Sequence, residues 1–141
     1  MRVETTYTER PVAREIKRIG KQAYCYIREN IHSVEVEIEG ETRTEWECVE
    51  YLAKLVYTPG LTLTDELCEQ IVAHEAEETA KQVRKKRNAL LAESDREILP
   101  DRRDESSETY KAWAAYRQAL RDLPDAPGFP YVDFPVKPVV V

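Results

Sequence analysis

The sequence is poor in the residues that build phosphate-binding loops, membrane spans and secretory signals. Its four glycines stand at positions 20, 40, 60 and 128, too far apart for a glycine-rich phosphate loop. No apolar run approaches the roughly 18 residues that a transmembrane helix requires. The first residues also lack the apolar segment of a signal peptide. We therefore expect no cofactor, no membrane partner and no secretory signal.

Cysteine is present but badly spaced for a metal or a disulfide framework. Cys25, Cys48 and Cys68 are odd in number, and no two of them lie close together in the sequence. Zinc sites usually contain a closely spaced ligand pair. We therefore favour three small, partly buried thiols over a metal site that combines these cysteines with His32 or His74. Unpaired thiols are typical of a protein made in a reducing cytoplasm.

Positive charge is also in the minority, with 21 Lys and Arg against 27 Asp and Glu, for a net charge of −6. A polyanion needs a net or locally segregated positive field, so we expect no nucleic-acid partner. The one basic cluster, residues 81–87, holds five cations without interleaved aromatics. A solvated helix face is the favoured interpretation of this cluster, with nucleic acid or an acidic protein as the alternatives.

With 141 residues, the chain can form one main domain and an appendage. Apolar residues at helical spacing predict a short helix at 12–19, which Gly20 would end. Alternation with a period of two then predicts three antiparallel strands, near 23–28, 34–38 and 42–51. The polar residues 30–33 separate the first strand from the second.

The parity of the turn at 39–41 determines the predicted register of the second and third strands. A three-residue loop places Val36 opposite Thr44 and Val34 opposite Trp46, which keeps apolar side chains on one face. A two-residue turn would place Val36 opposite Arg43 and is disfavoured on this argument.

After the turn at 58–60, Thr62 or Thr64 can cap a long helix that has no Gly or Pro before Pro100. The predicted fold class is α+β: a small antiparallel β-meander, a long helix, a shorter helix that Ser106 or Ser107 caps, and an extended Pro-rich and aromatic strap. The predicted segments are the meander domain at 1–60, the long helix at 61–93, a charged connector at 94–106, and the second helix with the strap at 107–141.

No catalytic group is expected. Glu35, Glu37 and Glu39 alternate along an amphipathic strand, which is more typical of a solvated face than of paired catalytic acids. The two histidines have no Ser, Cys or Asp at a spacing that indicates a triad. We therefore predict that the protein is not an enzyme.

Aromatic residues concentrate near the C-terminus, where the chain is too short to form a core of its own. Trp113, Tyr116, Phe129, Tyr131 and Phe134 fall within some twenty residues. Large rings on a proline-stiffened segment pack either on the body of the protein or on a partner. The sequence leaves both possibilities open.

Four blocks in this region resemble the C-terminal module of phage tail-assembly chaperones and tail-fibre assembly proteins. They read RNALLAESD at 87–95, LPD at 99–101, WAAYRQALRDLP at 113–124 and PGFP at 127–130. The resemblance covers about residues 87–138. The sequence departs from the family pattern at Arg96 and at Phe134, where the family usually has tryptophan.

The resemblance implies a phage tail protein that binds a tail fibre, tail tube or baseplate component as an assembly chaperone or adaptor. The alternatives are a permanent structural subunit of the tail tip, baseplate or fibre attachment and, more remotely, a small metal-dependent enzyme. The expected location is the host cytoplasm during assembly, with the virion tail as an alternative, and self-association is left open. The residues predicted to bind the partner are Trp113, Tyr116, Arg117, Leu120, Phe129, Tyr131 and Phe134.

Overall fold

The computed structural model describes residues 1–139, so the last two residues of the segment predicted at 107–141 lie outside the described part. The chain divides into two compact units, Met1–Glu75 and Ala76–Val141. The first unit holds the sheet and the beginning of a long helix, and the second holds the remaining helices and the C-terminal segment.

The first unit is built on one four-stranded antiparallel sheet. The strands are β1 (Arg2–Tyr7), β2 (Arg14–Ile19), β3 (Gln22–Ile38) and β4 (Glu41–Val56). They lie in the order β1-β4-β3-β2, which places the long β3–β4 hairpin in the middle. The predicted α+β class is confirmed, whereas the predicted number of three strands is wrong.

The helix predicted at 12–19 is wrong, because this segment contains strand β2. Ile16 lies opposite Cys25, and Lys17 lies opposite Tyr24, in an antiparallel ladder with β3. An isolated helix of eight residues is too short to be stable in water, so pairing with the alternating β3 decides the conformation. Gly20 adopts a φ of 62° in the tight turn to β3, rather than ending a helix.

The predicted break at 30–33 is a β-bulge inside one continuous strand. Glu29 pairs with Val49 and His32 with Glu47, so two residues of β3 oppose one residue of β4 between these pairs. Asn30 takes a φ of 53°, a left-handed conformation that asparagine tolerates better than most residues. The first and second predicted strands are therefore both parts of β3, and His32 lies in that strand.

The predicted register of the hairpin is also wrong. The turn has two residues, Glu39 and Gly40, with φ values of 53° and 82°, and Val36 consequently lies opposite Arg43. Two positive φ values suit the right-handed twist of a hairpin. The parity argument needed a buried face, but Ile38 at this end of the hairpin is 41% exposed, so burial does not control the register there.

The core of the first unit lies between one face of the sheet and the first turns of helix α1 (Asp65–Ser94). Ile27, Tyr51 and Cys68 are buried together, and Ile71 and Val72 pack against them. All three cysteines are free thiols with buried side chains. They therefore serve as small apolar core residues, and burial raises the pKa of each of them.

The guanidinium of Arg28 on β3 contacts a group from each of the other three strands. Its Nε donates to Glu50 of β4 at 2.7 Å, and its Nη2 lies 3.1 Å from the carboxylate of Glu15 on β2. The hydroxyl of Tyr7 on β1 donates to the same Glu50 carboxylate. Burial, and then this hydrogen bond, raise the pKa of Tyr7. One polar network thus joins all four strands.

Helix α1 is a single helix of 30 residues. Of its two candidate caps, Thr64 accepts a hydrogen bond from the backbone N–H of Leu67 at 3.2 Å. Among residues 1–139, no helix has the length and apolarity needed to cross a membrane.

The second unit continues with a short 3₁₀ helix at Asp95–Ile98, helix α2 (Glu108–Asp122) and a second 3₁₀ turn at Leu123–Asp125. Ser107 caps α2 by accepting from the N–H of Tyr110. From Ala126 to Val139 the chain forms turns and irregular structure, without a helix or strand. The predicted extended strap is not confirmed, since hydrogen-bonded turns occupy the beginning of this segment.

We expect Arg28→Lys to lower the free energy of unfolding of the first unit by about 2–4 kcal/mol, because a lysine cannot replace the forked contacts of a buried guanidinium. Denaturation followed by circular dichroism measures the change. Arg43→Lys is the matched control, since Arg43 is exposed on β4 and should change stability by less than about 0.5 kcal/mol. Equal effects of the two substitutions would contradict a central role for Arg28.

Candidate protein-binding site

Helix α2 forms the core of the second unit through one apolar face. Trp113, Tyr116 and Leu120 recur at helical spacing, and their side chains are 5%, 5% and 0% exposed. The rings of Trp113 and Tyr116 meet edge to face, with centroids 5.8 Å apart and planes at 87°. Four partly buried side chains pack against this cluster: Leu90, Leu91, Ile98 and Phe134.

Arg117 ties helix α2 to the C-terminal end of α1. Its guanidinium donates to the backbone carbonyl of Leu91 at 2.6 Å and to the hydroxyl of Ser94 at 2.7 Å. A third contact, at 2.7 Å, reaches the carboxylate of Asp95. The last turn of α1 has no basic residue of its own, so Arg117 supplies the positive charge and a donor that the end of a helix requires.

The charged connector contains a buried carboxylate with three arginines around it. Glu97 is 6% exposed, and its oxygens lie 2.5 Å from Arg103, 3.2 Å from Arg96 and 3.4 Å from Arg102. The hydrogen bond from Arg103 lowers the pKa of Glu97. This connector is therefore a folded loop, and its arginines neutralise a buried acid.

The basic cluster at 81–87 lies partly beneath the C-terminal segment. Arg84 lies over the ring of Phe129 at 5.2 Å, and Lys86 lies over the ring of Phe134 at 4.3 Å. Cation–π contacts thus hold two of the aromatic side chains in place. No local sequence pattern predicts these two contacts, because the partners are more than forty positions apart.

The structure brings four of the predicted partner-binding residues into one cluster: Trp113, Tyr116, Leu120 and Phe134. Arg117 is also buried, whereas Phe129, Tyr131 and Phe134 are half-buried. A contact of these residues with a partner stays a prediction. Substituting the buried ones would disturb the core of the unit directly, so such a variant would not report on binding alone.

Two apolar residues that sequence reasoning missed are the most exposed large apolar side chains among residues 76–139 of the second unit. Val136 is 89% exposed and Val139 is 86% exposed. Between them, Lys137 forms an ion pair of 2.6 Å with Glu93 of α1, and this hydrogen bond raises the pKa of Lys137. The prolines next to both valines could have indicated this exposure, since prolines keep an apolar segment extended.

A cavity of about 540 Å³ in the first unit lies beside the bulge, and His32, Glu47 and Cys48 are among the residues that line it. The imidazole of His32 lies 3.2 Å from Glu47. Burial raises the pKa of the Cys48 thiol, the reverse of what a nucleophilic cysteine needs. No group of three or more potential metal ligands occurs within residues 1–139. This geometry favours neither a thiol nucleophile nor a metal site.

The structure thus defines a small α+β protein in which the second unit exposes the apolar side chains of Val136 and Val139. Residues 80–139 match the family model described as phage tail assembly chaperone protein. This match supports a phage tail assembly chaperone family and a role in phage tail assembly. The resemblance predicted for residues 87–138 is therefore confirmed. No curated protein and no solved structure matches the chain.

We expect Arg117→Ala to destabilise the second unit by about 2–4 kcal/mol, because it removes a buried charge and leaves the carbonyls of α1 without this donor. In a Trp46→Phe background, Trp113 is the one remaining tryptophan, and its fluorescence reports unfolding of this unit. Arg121→Ala removes an exposed arginine from the same helix and should cost less than about 0.5 kcal/mol. A negligible loss for Arg117→Ala would show that water replaces its contacts.

Proposed function

We propose that the protein is a non-enzymatic assembly chaperone or adaptor that binds a tail fibre or another tail component in the host cytoplasm during assembly. The observation that carries this proposal is the family match over residues 80–139. It is supported by the exposed apolar side chains near the end of the matched segment. A binding protein needs accessible apolar surface for its contacts, because apolar burial contributes most of the binding free energy.

The proposed interface is the segment 129–139. Its half-buried rings at Phe129 and Phe134 are held by cations of α1, so their exposed edges have fixed positions. Val136 and Val139 extend the same segment into solvent. In this arrangement the segment is positioned from within the core by four side chains: Trp113, Tyr116, Arg117 and Leu120. A preorganised segment loses less conformational entropy when it binds.

The double variant Val136→Ser, Val139→Ser tests this interface. We expect the affinity for the tail partner to fall by about tenfold or more, since two buried aliphatic side chains would each contribute about 1 kcal/mol or more. Titrations against the purified fibre, tube and baseplate proteins of the same phage identify the partner and measure the change.

Val56→Ser is the matched control, because Val56 is 71% exposed in the first unit and lies outside the proposed interface. Its affinity should equal that of the wild-type protein. If the double variant and the control both bind as tightly as the wild-type protein, the proposed interface is wrong.

A permanent structural subunit of the tail is the second candidate function. The observation that favours it is the sheet of the first unit, whose edge strands offer surfaces for lasting assembly. Quantitative mass spectrometry of purified particles separates the two candidates. We expect the protein to be absent from mature particles, because a chaperone leaves when its partner is assembled. A stoichiometric amount in the particles would establish the structural role instead.

A further inference from the structure

One side of the sheet has a gap that is one strand wide. Strand β2 pairs with β3 along residues 22–27, while β3 continues to Ile38. In the part of the chain that the structure describes, no strand pairs with the outer edge of residues 32–38. We call this open edge the notch. Its seven residues match the length of β2, which has six.

The hairpin that forms the notch carries a large negative charge. Residues 29–47 contain seven glutamates and one arginine, so this segment alone has a net charge of −6, equal to that of the entire chain. Glu35 and Glu37 are exposed on β3. Open backbone edges tend to pair with other strands, but two such acidic edges repel each other. The charge therefore opposes pairing of one notch with another.

The outer edge of β2 carries the opposite charge. Residues 14–21 contain Arg14, Lys17, Arg18 and Lys21 against one acid, Glu15. Strand β2 stands at the end of the sheet, so its outer backbone groups face away from β3. Pairing of two β2 edges would bring like charges together. Two notches therefore repel each other, and so do two β2 edges, whereas a notch and a β2 edge have complementary charges.

We propose that two copies of the chain associate by reciprocal strand addition, with β2 of each copy entering the notch of the other. Main-chain hydrogen bonds of the added strands supply the contact, and the glutamates of the hairpin beside the cations of β2 select the partner edge. The notch lies beside β2 on the same side of the sheet. A two-fold rotation therefore fills both notches at once and closes the assembly as a dimer.

The dimer also accounts for the exposed half of the hairpin. Beyond the bulge the hairpin is supported by β1 only at its base, where Tyr7 lies opposite Trp46. A two-stranded hairpin is marginally stable alone, and Val34, Val36 and Ile38 are only partly covered. A third strand from the second copy would support this stretch and cover part of its apolar side chains. This inference does not depend on the proposed function.

Charge exchange tests the dimer. The notch variant is Glu35→Lys with Glu37→Lys, and the edge variant is Lys17→Glu with Arg18→Glu. Sedimentation velocity of the full chain at low salt should show a dimer for the wild-type protein and dissociation constants raised by about tenfold or more for each variant, because like charges then face each other. An equimolar mixture of the two variants should restore the dimer, since each acidic edge again meets a basic one.

Two controls carry the same change of charge elsewhere. Glu69→Lys with Glu105→Lys matches the notch variant, and Lys81→Glu with Lys85→Glu matches the edge variant, all at exposed positions. Both controls should dimerise like the wild-type protein. The milder Glu35→Gln with Glu37→Gln should weaken the dimer less than the reversal does.

Four results would each overturn the proposal. The first two are a wild-type protein that stays monomeric up to millimolar concentration and charge-exchanged variants that dimerise normally. The other two are controls that lose the dimer to the same extent and a mixture that remains monomeric although circular dichroism shows both variants to be folded. Added salt should weaken the wild-type dimer, because the edge charges are exposed and screened.

Discussion

The first unit depends on one buried cation. Arg28 donates to Glu50 and lies beside Glu15, while Tyr7 completes the network from the far edge of the sheet. A buried guanidinium without partners is costly, and here the two carboxylates of Glu15 and Glu50 compensate its charge. The network joins all four strands, while the sheet itself buries few large apolar side chains.

The second unit solves a similar problem with Arg117. A long helix ends with unsatisfied carbonyl groups, and here a side chain from a different helix supplies the missing donor. The same guanidinium lies next to the aromatic cluster, so capping and core formation occur together. Each unit therefore has a buried arginine whose contacts join elements that are separate in the sequence.

Regular patterns in the sequence predicted the structure well where many residues shared one period. The long helix, the α2 helix with a cap at Ser106 or Ser107, and the pairing of the outer β3 segment with β4, though not its register, followed from periodicity and capping. Strand β2 was not predicted, because its conformation depends on pairing with the neighbouring β3 and its own residues have helical spacing. The bulge was not predicted either, because it depends on the left-handed conformation of Asn30. The aromatic residues at 113–134 were found from composition, but their division into core and surface depends on α1, which no local pattern reveals.

The bulge at Asn30 divides β3 into two parts, in which odd-numbered and then even-numbered residues face the same side of the sheet. Before it, side chains alternate in step with the core beneath the sheet, and after it the alternation restarts with an offset of one residue. Because β4 alternates regularly opposite the bulge, removing one residue from the bulge would keep His32 opposite Glu47 and leave every side chain of the outer hairpin on its present face. The outer hairpin should therefore keep both of its surfaces through a single codon deletion, which would remove only the local distortion of β3.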